Sequence, residues 1–213
     1  MSHGTRLGPL ATVDGSEELI VDVRAGAPVT AMRSTVLVAL RGAFREAGLF
    51  EAYEAKLDPR VAGELTHMVA ATWVPLDLVN AHYAASDALA LPTRDQIALG
   101  GAAAERILTA LLGTALRIAA SAGTTPWGFI AQIGRFWGRG YAGGGIRVIK
   151  HGPKEAYVVI LDNSIHHLSP FARHSFVGVA SVVFKPFCMR FLMRVDAVAE
   201  KPDDTVRYLA QWV

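Results

Sequence analysis

The chain has 213 residues, of which 52% are hydrophobic and 19% charged, and its formal net charge is +2. This length suits one substantial core and leaves little room for a second full domain. The single cysteine, Cys188, excludes an intramolecular disulfide, and we find neither a secretory signal pattern nor the roughly 20 apolar residues of a membrane span, so a cytoplasmic protein without a membrane span is expected.

The first 31 residues form a polar N-terminal segment interrupted by Pro and Gly, with one short candidate strand at 18–24. A single domain is predicted over 32–213, and the apolar residues of its first half recur at helical spacing. Four helical segments are predicted there, over residues 34–50, 57–71, 73–91 and 91–123, the last being one long helix or two abutting ones. Ser34 and Thr93 are the expected caps of the first and the fourth.

A fifth helix is predicted over residues 124–140, where Thr125 is the expected cap and Pro126 suits the first turn. Its apolar face consists of Trp127, Ile130, Ile133 and Trp137. The period of the apolar pattern then changes from that of a helix to that of a strand. Two strands, a helix and two more strands are predicted, over residues 145–151, 155–162, 170–184, 188–200 and 205–213. Helices followed by β-β-α-β-β predict an α+β domain with an antiparallel sheet covered by helices.

A literal G-x-G-x-x-G lies between the fifth helix and the first of these strands, formed by Gly138, Gly140 and Gly143. A dinucleotide-binding fingerprint follows a strand and begins a helix, so that the pyrophosphate meets the positive end of the helix. Here the glycines follow a helix and begin a strand. We therefore interpret them as a helix end and a strand entry, where glycine permits a positive φ.

Several segments together resemble a known group of domains: "WVPLDLV" at 73–79, "IRVIKHGPKEAYVVILDN" at 146–163, a helix with an inner glycine, Gly178, and the closing "RYLAQWV". The pattern is similar to a domain family expanded in myxobacteria, a branch of the H-NOX, 4-vinyl reductase domain and TRAPP-like group. The resemblance implies an H-NOX-like fold in which helices and sheet enclose a pocket or pack a dimer. Members of the group sense small molecules or serve as assembly modules.

Heme binding is the best-defined activity within this group. Its heme-binding members carry a proximal histidine on a helix before the sheet and a Tyr-x-Ser-x-Arg motif that holds the propionates. This chain has no Tyr-x-Ser-x-Arg, and its helical histidines before the sheet, His67 and His82, lie early in the helical half. No heme and no other cofactor is therefore expected.

Histidines are densest at His166, His167 and His174, with His151 one hairpin away. Three histidines can bind zinc, but no H-E-x-x-H pattern accompanies them. No G-x-S-x-G sequence is present to activate a serine. We expect no metal site and no catalytic residue.

Charge is distributed unevenly along the chain. Residues 106–154 contain no Asp or Glu, whereas the first 105 residues hold 13 of the 19 acids. This basic segment contains interleaved aromatic residues, a mixture that single-stranded nucleic acid can use for stacking. The helical spacing points Trp127 and Trp137 inward, so core packing of these aromatic residues is the favoured interpretation and specific nucleic-acid binding is not expected. An anion-binding or partner-facing surface formed by the arginines is left as an alternative.

A pocket, if the core leaves one, is predicted between the fifth helix and the sheet. Its expected lining residues are Trp137, Tyr141, Arg147, Tyr157, Asn163 and Phe176. The favoured function is a non-enzymatic module that senses a small hydrophobic ligand or binds a protein partner. The alternatives are a structural or assembly subunit with a filled core and an enzyme that acts on a hydrophobic substrate in the same pocket. A homodimer is expected, by analogy with TRAPP-like dimers and from apolar residues expected to be exposed on the helix at 34–50.

Overall fold

The computed structural model describes residues 18–109, 123–199 and 204–213. The helices within these ranges are α1 (Ser34–Glu46), α2 (Phe50–Glu54), α3 (Pro59–His67), α4 (Leu76–Asp87), α5 (Thr93–Ile107), α6 (Pro126–Ile130), α7 (Ile133–Gly140), α8 (Ser164–Leu168) and α9 (Pro170–Phe184). The strands are β1 (Glu18–Arg24), β2 (Ala31–Arg33), β3 (Trp73–Pro75), β4 (Tyr141–Ala142), β5 (Gly145–Gly152), β6 (Glu155–Leu161), β7 (Phe191–Val198) and β8 (Val206–Trp212). The predicted α+β class, with helices first and an antiparallel sheet after them, is confirmed.

The main sheet has five strands in the order β1-β5-β6-β8-β7, and every neighbouring pair is antiparallel. The candidate strand at 18–24 is confirmed as β1, which pairs with β5 so that Asp22 lies opposite Arg147. The sheet therefore begins ahead of the domain boundary placed at residue 32. A second sheet, β3-β2-β4, was not predicted, because strands of two or three residues are too short to show alternation.

Helices α5 and α9 cross in direct backbone contact and join the helical half to the sheet. A Cβ atom at Gly178 would lie 2.0 Å from the carbonyl oxygen of Ile97, and one at Gly100 would lie 2.0 Å from that of Ser175. Only a hydrogen atom fits at either position. On its other side α9 packs against β7, so this helix pair fixes the helical half above the sheet.

The predicted fifth helix is divided in two. Thr125 caps α6 as expected, accepting a hydrogen bond from the Gly128 amide. The chain then turns at 131–132 before α7 begins, and this turn rotates the two halves of the predicted apolar face relative to each other. Ile130 and Trp137 are buried, whereas Trp127 and Ile133 are half-buried.

Two other predicted caps are wrong. Arg33 occupies the cap position of α1, and the Ser34 hydroxyl instead accepts a hydrogen bond from the Thr72 amide. Pro92 precedes α5, and Thr93 makes no capping hydrogen bond. In both cases the chain enters the helix from an extended residue whose position tertiary contacts determine.

The glycines between α7 and β5 act on the backbone, which confirms their interpretation as a helix end and a strand entry. Helix α7 ends at Gly140, and Gly143 has a φ of +99°. A Cβ atom there would lie 2.2 Å from the Pro28 carbonyl oxygen, so the position excludes any side chain.

Residues 110–122 of the predicted fourth helix lie outside the described residues. Among the helices that the structure describes, none is long and apolar enough to cross a membrane.

Candidate ligand-binding site

Two neighbouring pockets lie among the helices, and no described residue of the five-stranded sheet lines either of them. The polar pocket has a volume of about 190 Å³ and is lined from α1, α4, α5, α7, α8 and α9 and from β2 and β4 of the small sheet. The apolar pocket has a volume of about 230 Å³ and is lined by hydrocarbon side chains from α5, α6, α7 and α9 and from Leu108. Four residues line both pockets: Ile107, Phe136, Phe176 and Val179.

A buried hydrogen-bonded chain of three side chains begins at the wall of the polar pocket, which Tyr141 and His166 line, and ends at Tyr208 beyond it. The Nε2 atom of His166 lies 3.1 Å from the Tyr141 hydroxyl, and its Nδ1 atom lies 2.9 Å from the Tyr208 hydroxyl. A neutral imidazole donates from one ring nitrogen and accepts at the other. The tyrosine that accepts from the ring therefore keeps its own hydrogen for another acceptor.

Helix α8 holds His166 in this position. The Asn163 side chain caps the helix, accepting hydrogen bonds from the amides of Ile165 at 3.1 Å and of His166 at 3.3 Å. Asn163 is fully buried and His166 is 2% exposed. These hydrogen bonds fix the backbone that carries His166, and with it the orientation of the imidazole.

The wall of the polar pocket is uncharged at neutral pH. Burial, with a smaller contribution from the positive charge of Arg173, lowers the pKa of His166 to about 3. Burial also raises the pKa values of Tyr83, Tyr141 and Tyr208 above their usual value. The histidine is therefore a neutral base and the tyrosines remain protonated.

Tyr83 is a second source of polarity in the same pocket. It lies on α4, is 4% exposed and contributes to the pocket wall. Its hydroxyl forms no hydrogen bond with any other residue that the structure describes, whereas the nearby Ser175 hydroxyl donates to the Ala172 carbonyl at 3.1 Å. Tyr83 is therefore free to bond to a molecule in the pocket.

Three of the predicted site residues are brought together. Tyr141 and Phe176 line the polar pocket, and the Trp137 ring stacks on the Tyr141 ring with centroids 4.3 Å apart. The Trp137 indole also donates to the Gly143 carbonyl at 3.1 Å. Trp137 thus supports the pocket wall through Tyr141.

The other three predicted residues lie elsewhere. Alternation along β6 turns Ala156 and Val158 toward the helices, so Tyr157 projects from the opposite face, where the Arg207 guanidinium lies 4.8 Å from its ring centre. Arg147 is buried beside Asp22, 3.3 Å away, where β5 pairs with β1. Asn163 caps α8 and acts on the site only through His166.

The roles of His166, Tyr208 and Tyr83 were not predicted from the sequence. His166 was considered only as a metal ligand, since α8 is too short to show a helical period. Tyr208 alternates in phase with the buried residues of β8, and Tyr83 lies on the apolar stripe of α4, so burial of both was predictable. That Tyr83 and His166 line one pocket and that Tyr208 bonds to His166 was not predictable, because these residues come from elements far apart in the chain.

A second buried histidine, His82, lies in the helical half. Its Nδ1 atom is 2.6 Å from the Tyr53 hydroxyl, while its Nε2 atom has no hydrogen-bond partner in the described part of the chain. His82 lines neither pocket, and both ring nitrogens of His166 are already engaged by tyrosines. These two histidines therefore do not fit the role of an axial heme ligand facing either pocket.

No cluster of three or more potential metal-binding side chains occurs among residues 18–109, 123–199 and 204–213. The histidines considered for zinc are separated by their contacts: His174 bonds to Gln96 at 2.9 Å, and His151 lies beside Tyr157 on the other face of the sheet.

The basic segment is partly neutralised by acids from the first half of the chain. Arg106 forms an ion pair with Glu46, Arg147 with Asp22, and Lys150 with Glu18. Arg135 and Arg139 are exposed on α7. Arg117 lies outside the described residues.

Similarity to known proteins is confined to the fold. No family model matches the chain, and no curated protein matches its sequence. A solved structure that concerns heme redox potential and protein-induced porphyrin distortion matches with a TM-score of 0.52 and 12% identity, over 85% of this chain and 100% of the other. A structure that concerns heme distortion in the H-NOX family matches with a TM-score of 0.53 and 10% identity, over 85% of this chain and 95% of the other. The chain has an H-NOX-like fold.

Proposed function

We propose that this H-NOX-like chain is a non-enzymatic module that binds a small, uncharged, hydrophobic molecule in the polar pocket. The observation that carries the proposal is the Tyr141–His166–Tyr208 chain, which places oriented hydrogen-bonding groups at the wall of an otherwise apolar pocket. Concave, mostly apolar sites with a few convergent polar groups are typical of ligand binding.

Heme has no part in this proposal, although related folds hold it. The two pockets have volumes of about 190 and 230 Å³, each below the roughly 300 Å³ at which pockets for drug-sized ligands begin. A porphyrin is larger than such ligands. Together with the engaged nitrogens of His166, this argues for a smaller ligand without iron.

The competing functions make different demands on the same pocket. An assembly subunit needs a filled core, whereas the polar pocket leaves space beside Tyr83, whose hydroxyl has no partner among the described residues. An enzyme needs an activated acid, base or nucleophile. Both His166 nitrogens are engaged by tyrosines, and its pKa of about 3 makes it a weak base, so binding is favoured over catalysis.

Calorimetric titration of the purified chain with 1-hexanol tests the proposal. We expect saturable binding of one molecule per chain, weakened about fivefold in Tyr141→Phe because a hydrogen bond contributes about 1 kcal/mol. Tyr157→Phe is the matched control, since it removes a hydroxyl on the opposite face of the sheet and should bind as the wild type does. Absence of saturable binding, with no small molecule retained in native mass spectrometry, would contradict the proposal and leave the filled-core assembly subunit.

A further inference from the structure

We infer that the ligand is a neutral amphiphile of medium chain length, an aliphatic alcohol, ketone or aldehyde, which occupies both pockets at once. Its oxygen binds beside Tyr141 and Tyr83 in the polar pocket, and its hydrocarbon chain extends past the shared residues into the apolar pocket. The inference rests on the proposed function and adds the class of ligand.

The two pockets lie side by side and share part of their lining. Phe136 on α7 and Phe176 and Val179 on α9 line both of them, as does Ile107 at the end of α5. A ligand that fills both pockets therefore passes between these side chains.

The polarity of the two pockets differs in the way that an amphiphile requires. The polar residues Tyr83, Tyr141 and His166 all line the polar pocket. The described lining of the apolar pocket consists of Ala, Val, Leu, Ile and Phe side chains and offers no polar side-chain atom. One end of the ligand must therefore be able to form hydrogen bonds, and the rest must be hydrocarbon.

The residues that line the polar pocket exclude a charged group on the ligand. No cationic or anionic side chain lines the polar pocket in the described part of the chain. The Arg173 guanidinium, which follows the lining residue Ala172 in α9, is committed to the backbone, since it donates to the carbonyls of His166 at 3.0 Å and His167 at 2.7 Å. A carboxylate would lose its hydration without gaining an ion pair.

The combined volume of the two pockets limits the length of the ligand's hydrocarbon chain. A water molecule occupies about 30 Å³ in the liquid, so pockets of about 190 and 230 Å³ hold on the order of a dozen heavy atoms between them. An aliphatic chain of roughly eight to ten carbons with one oxygen is consistent with this estimate.

Calorimetric titration with 1-butanol, 1-nonanol and nonanoate near neutral pH tests the inference. Each added methylene should tighten binding up to about fourfold until the apolar pocket is full. Nonanoate should bind at least about tenfold more weakly than 1-nonanol because its charge is not compensated. Ala180→Phe and, independently, Val183→Phe fill the apolar pocket alone. They should weaken 1-nonanol and leave 1-butanol unchanged, while Tyr157→Phe changes neither.

The outcomes separate this inference from the proposed function. If 1-butanol and 1-nonanol bind equally well, or if both filling variants bind 1-nonanol normally, the apolar pocket takes no ligand and the inference is overturned, whereas the proposed function stands. Nonanoate that binds as tightly as 1-nonanol overturns the exclusion of charge. Failure of every alcohol to bind overturns both.

Discussion

His166 and His82 are the two buried histidines whose ring nitrogens bond to tyrosine hydroxyls, at 2.9 Å to Tyr208 and 2.6 Å to Tyr53. Burial lowers the pKa of each to about 3, with smaller contributions from Arg173 for His166 and Arg41 for His82. Both are therefore neutral in the folded chain. Protonation would place a charge where the surroundings offer no compensating carboxylate contact among the described residues.

This predicts that the fold loses stability as the pH falls. A histidine with an ordinary pKa of 6.5 when unfolded and about 3 when folded contributes its full stability above 6.5 and loses it progressively as the pH falls toward 3. From about pH 7.5 to about pH 5 the free energy of unfolding should fall by roughly 2–4 kcal/mol for the two together. Urea denaturation at both pH values measures this decrease in the free energy of unfolding.

The variant His166→Gln separates the contribution of this histidine to the pH dependence of the unfolding free energy from the contribution of the carboxylates. Its free energy of unfolding should depend less steeply on pH than that of the wild type, by roughly 1–2 kcal/mol over the same interval. His67→Gln, at an exposed position, is the control and should keep the wild-type slope. Equal slopes in all three proteins would show that His166 is not held neutral by burial.

At the scale of elements, apolar spacing predicted the long helices and strands and failed for the short ones. Apolar residues recur several times at the helical or strand period in α4, α5, α9 and the strands of the main sheet. α2 and α8 have five residues each, too few for a period to appear. The division between α6 and α7 also escaped prediction, because the apolar pattern continues across a turn that tertiary packing imposes.

The crossing of α5 and α9 gives a prediction for one glycine. Gly178→Ala should destabilise the fold by about 1–3 kcal/mol, because the added methyl group would meet the Ile97 carbonyl and force the helices apart. Gly63→Ala on α3 is the matched control. That position is exposed with nothing within 4 Å of the added Cβ, so alanine there should be neutral or stabilising by up to about 1 kcal/mol. Thermal and urea unfolding measure both. A Gly178→Ala protein as stable as the wild type would mean that the helices do not cross this closely.

For the whole molecule, the order of helical and alternating segments was enough to predict the fold class, but the site could be predicted only in part. Tyr141 and Phe176 lie at either end of a run of consecutive elements. Their proximity could therefore be predicted from that part of the sequence alone. Tyr157 could not be placed, since alternation shows which residues share a face but not which face meets the helices. Tyr83 reaches the pocket from α4 and Tyr208 reaches His166 from β8, and nothing local connects those elements.

Formation of a homodimer remains a prediction, but one of the expectations on which it was based does not hold. The apolar residues of α1 that were expected at the surface are buried or half-buried, including Leu37, Leu40 and Phe44, which are all buried. Isologous dimers are nevertheless the commonest form of soluble oligomer. Sedimentation equilibrium at micromolar concentration should give the mass of two chains, and the mass of one chain would contradict it.

The central claim is that a neutral, largely apolar molecule binds in the two pockets among the helices. Methyl-resolved NMR during a titration with 1-hexanol tests it most directly. We predict saturable shifts at the methyl groups of Ile107 and Val179, which line both pockets, and none at Val159 on the opposite face of the sheet. Methyl signals of Ile107 and Val179 that stay unchanged up to the solubility limit of the alcohol would contradict the claim.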